Sequence, residues 1–86
     1  MAGMWYITDM EPEEMKLRVA RNLRAARVAA SMSFNEAAEA VGVSLSTIQR
    51  VESGTQDTGI AMIARLCEVY SIPPATIFAE PAEGAK

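Results

Sequence analysis

Apolar residues recur three and four positions apart through most of the chain, and each interruption carries residues that stop or start a helix. From Glu11 onward, Pro12 suits a first helical position, and Glu13 and Glu14 suit the positive end of the helix dipole. Val19, Leu23, Ala26 and Ala30 then share one face, which predicts a helix over about 12–30. Ser33 and Glu36 form an S-x-x-E capping box, in which each side chain satisfies a backbone donor left free at the helix start. A second predicted helix, over about 34–41, turns Ala37, Ala38 and Val41 inward and stops at Gly42, the residue best able to take a left-handed conformation.

Ser44 caps a third predicted helix over about 45–53. Val43 before that cap and Ile48 inside it form a hydrophobic staple, Ile48 and Val51 face the core, and Gly54 ends the helix. In the polar loop "TQDT", Asp57 or Thr58 caps a fourth helix over about 60–70, whose stripe of Ile60, Ile63, Leu66, Cys67 and Tyr70 is expected to be buried. "SIPPATIF" restarts a short fifth helix over about 74–79, because Pro is tolerated in a first turn but not in a helix interior, and Ile77 and Phe78 close the core. The expected fold is all-α with five helices in one domain, 12–79, between an apolar and acidic extension at 1–11 and a flexible tail at 80–86.

Composition narrows what such a domain does. Half of the 86 residues are apolar, enough for one small core and too few residues for a second. There is no His and a single Cys, so neither a Ser-His nor a Cys-His nucleophile pair assembles, and a zinc site lacks its usual ligands. No catalytic residue, metal or cofactor is expected, and Cys67 reads as a small core residue. No apolar run approaches a membrane span, and the first ten residues hold no Lys or Arg ahead of their short apolar run, against a secretory signal. A cytoplasmic protein is expected. The net charge of -3 is unevenly spread. Four acids and no base lie in residues 1–14, whereas between Met15 and Phe78 seven bases meet five acids, so the middle is mildly basic. Trp5, Tyr6 and Ile7, consecutive near the start, either cover the domain's own core or contact a protein partner.

The second and third predicted helices, joined by a tight turn at Gly42, have the helix-turn-helix pattern. Small Ala38 lets the third helix cross closely over the second. The third helix leaves Leu45, Ser46, Gln49, Arg50 and Ser53 pointing outward, of a size that fits a major groove, with Leu45, Ser46, Gln49 and Arg50 the candidates for base contacts.

Residues 17–78 resemble the lambda-repressor-like, Cro/C1-type (XRE) DNA-binding domain of phage and bacterial regulators. The resemblance rests on "MSFNEAAEAVGVSLSTIQRVESG", with the Ser33 cap, Ala38, Gly42, Val43, Ser44, Ile48, Glu52 and Gly54 coinciding, and on the flanks "LRAAR" and "IARLCEVYSIPPATIF". It implies DNA-backbone contacts from Arg24, Asn35, Ser44, Thr47, Ser53 and the loop residues Thr55 and Gln56. Phe34 stands where the family usually has a Gln that reaches the backbone and is counted with these backbone-contact candidates, and "TQDT" lacks the positive charge that relatives often carry there. The resemblance also implies a structural ion pair between Arg27 and Glu52. The resulting expectation is a sequence-specific transcription regulator, Cro-like or repressor-like and of phage or prophage type. It would bind a palindromic double-stranded operator as a homodimer through Ile72, Pro74 and Phe78. The rival expectation is an antitoxin-like or antirepressor-like interaction module that holds another protein through Trp5, Tyr6 and Ile7.

Overall fold

A computed structural model describes residues 11–80 of the chain. They form α1 (Pro12–Ala29), α2 (Phe34–Val41), α3 (Leu45–Ser53) and α4 (Ile60–Tyr70), followed by a 3₁₀ helix (Pro74–Phe78). No strand occurs among the described residues. The expected fifth α-helix is thus a single five-residue 3₁₀ element. Pro73 and Pro74 supply no amide protons at its start, and its turn closes through i→i+3 bonds, Thr76 N donating to Pro73 O at 2.9 Å and Ala79 N to Thr76 O at 3.3 Å.

Local chemistry sets the boundaries. The Glu11 amide donates to the Glu14 carboxylate at 3.0 Å as α1 begins. At α2 the capping box is complete: Ser33 N donates to Glu36 Oε1 at 2.8 Å, and Glu36 N to Ser33 Oγ at 3.0 Å. Gly42 ends α2 at φ +88°, and its amide returns to Ala38 O at 2.8 Å. Gly54 ends α3 at φ +79°. Here the turn is also tight against α1, because a Cβ at Gly54 would lie 2.6 Å from Leu17 Cδ2. The start of α4 differs from expectation: its N-cap is Gly59, with no side-chain cap from Asp57 or Thr58.

The core joins Val19, Leu23 and Ala26 of α1, Ala37, Ala38 and Val41 of α2, Ile48 and Val51 of α3, Leu66, Cys67 and Tyr70 of α4, and Ile77. Four residues expected inside are not buried: Ile63 of α4 is only half-buried against the core, and three others are exposed. Ala30 caps α1 and is exposed. Ile60 is 85% exposed, because the first turn of α4 stands clear of the other helices; a Cβ at the preceding Gly59 would meet nothing within 4 Å. Phe78 is 45% exposed, and it is Ile77 alone that plugs the core at that end. Asn22 and Arg18 of α1 hold the 3₁₀ helix in place. Asn22 Nδ2 donates to Ile77 O at 2.7 Å and Ala79 O at 2.8 Å, and Arg18 Nη1 to Phe78 O at 3.2 Å.

Candidate nucleic-acid interface

The geometry of α3 follows from which of its residues are locked. Ile48 and Val51 are 1% and 3% exposed against α1 and α2, so the helix cannot rotate without opening the core. Leu45, Ser46, Gln49, Arg50 and Ser53 are therefore carried on the solvent side. At its N-terminus, Ser44 Oγ accepts from Thr47 N at 3.3 Å and lies 3.2 Å from Ser46 Oγ and 2.9 Å from Thr47 Oγ1. Such a cluster of hydroxyls beside free helix amides presents donors and acceptors at the positive end of a dipole.

At the other end, Arg50 Nε donates to Gln56 Oε1 at 3.0 Å, so the post-helix loop holds the one long cation of this face. The bond engages Nε, and among the described residues the two terminal nitrogens of the guanidinium make no hydrogen bond. Ser53 Oγ donates to Arg50 O at 2.7 Å and lies 2.8 Å from Thr55 Oγ1. Both hydroxyl protons are then committed to the end of α3, which places Ser53 and Thr55 as capping groups in this structure. Nothing in the spacing of the sequence signals the Arg50–Gln56 contact, which spans the helix end and depends on where the loop turns.

Behind this face lies a buried ion pair. Arg27 donates through Nε to Glu52 Oε2 at 2.8 Å and through Nη2 to Glu52 Oε1 at 3.1 Å, and through Nη1 to Met32 O at 2.9 Å. The residue is only 8% exposed. The hydrogen bond that Arg27 donates to Glu52 outweighs burial and pushes the guanidinium pKa up, so the charge persists inside the domain. The Phe34 ring lies over Arg27, 4.1 Å from its Cζ to the ring centroid. Phe34 is accordingly half-buried against the core, and its one hydrogen-bond donor is the backbone amide at the first position of α2. Asn35 and Arg24 are exposed, on α2 and α1.

Among the described residues no group of His, Cys, Asp and Glu could hold a metal ion, and no helix is long and apolar enough to cross a membrane. A family profile described as a helix-turn-helix domain matches residues 18–77, well over half of the chain. The chain belongs to the helix-turn-helix domain family. The match spans α1 through the 3₁₀ helix and includes the α2–turn–α3 unit, the DNA-binding element of that family. No curated protein matches the chain. Within the helix-turn-helix unit, α3 occupies the place of the recognition helix, and Gly42 is the tight turn that sets its angle to α2. Of the remaining candidate positions, Ile72 is half-buried beside the core, while Pro74 and Phe78 are exposed on the 3₁₀ helix. Trp5, Tyr6 and Ile7 lie outside the described residues.

Proposed function

We propose that this helix-turn-helix protein is a sequence-specific transcription regulator of the Cro/C1 type, of phage or prophage character and acting in the cytoplasm, that reads an operator with α3 in the major groove. The observation that carries this reading is the division of α3: Ile48 and Val51 fixed in the core, and Leu45, Ser46, Gln49 and Arg50 exposed in a row of groove-compatible size. Arg50, whose two terminal nitrogens have no hydrogen-bond partner among the described residues, suits the O6 and N7 acceptors of guanine. Leu45 packs on a thymine methyl, and Ser46 and Gln49 read neighbouring edges. Arg24, Asn35, Ser44, Thr47 and the Phe34 amide approach phosphates on either side, with the loop at Thr55 and Gln56 completing the footprint.

One such helix offers a small footprint. A homodimer that pairs Ile72, Pro74 and Phe78 across a two-fold axis would set two recognition helices roughly 34 Å apart, one turn of DNA, and the operator would be an inverted repeat. A second reading has its own support: Ile60 is 85% exposed and "TQDT" carries no base, features suited to a protein-interaction module of antitoxin or antirepressor type. Selection of bound sequences from random DNA, followed by a salt titration of the selected duplex, separates the two. A palindromic motif whose affinity falls steeply with salt supports the regulator, and the absence of any enriched motif contradicts it in favour of the interaction module.

A further inference from the structure

A groove of about 270 Å³ opens between the first turns of α1, the loop after α3 and the 3₁₀ helix. Its walls are Met15, Val19, Val51 and Ile63, and Gln56 and Thr58 stand on its rim. Val19 and Val51 are core residues, so the groove reaches the back of the recognition helix. Pro12, where the described chain emerges, also lines it. We infer that the N-terminal segment of the same chain docks here, with the Trp5 indole seated in the groove and Tyr6 and Ile7 over its edge.

Reach, size and chemistry support one occupant. Trp5 precedes Pro12 by seven residues, a span of up to about 23 Å when extended, and Glu11 enters α1 with extended backbone at φ -72° and ψ 149°. The segment therefore starts at the groove and needs only part of its length to fold back. An apolar cavity of about 150 Å³ takes up benzene, so the larger groove accommodates a bicyclic ring. Met15 offers a thioether against an aromatic face, and the branched side chains opposite give it close contacts. An indole also needs an acceptor for its N–H, which the polar rim at Gln56, Asp57 and Thr58 supplies. A site for a single side chain is far smaller than the roughly 800 Å² per partner of a stable protein interface, whereas a tethered segment binds with an effective concentration near millimolar. Gln56 connects the groove to Arg50, so the docked segment would steady the loop that holds the exposed cation of α3. The inference itself does not depend on DNA binding.

Trp5 is the only tryptophan, so emission from the intact protein reports its surroundings directly. The expected results are a blue-shifted maximum and several-fold weaker acrylamide quenching than in denaturant. NOEs from the indole to the Met15 and Ile63 methyls should appear in labelled protein and vanish from the isotope-filtered spectrum of a labelled and unlabelled mixture, which selects contacts between chains. Met15→Lys, which puts a charge in the wall at a half-buried position, should restore the red-shifted, quenchable emission while the helical circular dichroism persists. Denatured-like emission from the folded wild-type protein would overturn the inference. So would NOEs found only between chains, or a folded Met15→Lys protein with unchanged emission. The NOEs decide the matter even if that variant fails to fold.

Discussion

Arg27 shows how one buried charge organises its neighbours. Its guanidinium takes both carboxylate oxygens of Glu52, the Met32 carbonyl and the face of Phe34, which together replace the water it lost. Glu52→Ala strands that charge and is expected to destabilise the fold by about 3 kcal/mol or more, against under about 1 for a surface pair such as Lys16–Asp57. Denaturant midpoints measure it, and an unchanged midpoint would mean that the pair contributes nothing. Tyr70 is a second buried polar group, its hydroxyl without a hydrogen-bond partner among the described residues. Burial, reinforced by the nearby Glu52 carboxylate and opposed by Arg27, pushes its pKa from 10.0 to about 12. Between those values the unfolded chain releases a proton that the native state keeps, so stability falls as pH rises through that window. Tyr70→Phe should show a shallower decline there in denaturant midpoints taken from pH 9 to 12; an identical decline would remove Tyr70 as its source. The Arg27–Glu52 pair is legible only through family resemblance, since nothing in helical spacing joins residues 25 apart. The stacking of Phe34 was not legible at all: a Phe at the first position of α2 reads equally as an outward group until Arg27 is placed beneath it.

At the scale of elements, capping chemistry was the most readable part of the sequence because it is local. Ser33, Glu36, Gly42, Ser44 and Gly54 fix the ends of α2 and α3 through groups within four residues of each other. Gly42 and Gly54 share a left-handed backbone but not an environment. A Cβ at Gly42 meets nothing within 4 Å, so Gly42→Ala should cost only the conformational strain, about 1 to 2 kcal/mol. Gly54→Ala adds a collision with Leu17 of α1 and should cost more, and Leu17→Ala in the same chain should recover part of the excess. Thermal unfolding of the four proteins gives these differences, and equal losses at the two glycines would show that α1 yields freely. The start of α4 and the last helix were less readable because tertiary packing decides them. The stripe on α4 is periodic from Ile60, but periodicity does not say where the neighbouring helices end. A pair of prolines permits either an α or a 3₁₀ turn, and Asn22 settles which carbonyls of that turn are satisfied from α1.

For the whole molecule, the acidic total conceals a mildly basic folded middle, and α3 carries a single long cation on its solvent face. The outward positions of α3 could be read from the sequence because its inner positions are so strongly apolar. Assembly and the docking place of Trp5 could not, since exposed apolar residues such as Phe78 follow no pattern that distinguishes one partner from another. The proposed regulator makes different demands on two arginines. Arg24, exposed on α1, would touch phosphate, which every sequence presents. Arg50, steadied by Gln56, would read a base. The most direct test is a binding titration of wild type, Arg24→Ala and Arg50→Ala against every single-base variant of the selected operator. Arg24→Ala should weaken all duplexes alike and flatten the salt dependence. Arg50→Ala should lose about 1 to 3 kcal/mol of discrimination at one guanine in each half-site while preferences elsewhere persist. An Arg50→Ala protein that lost affinity equally for every variant would contradict base reading by α3 and leave Arg50 as a clamp on the DNA backbone.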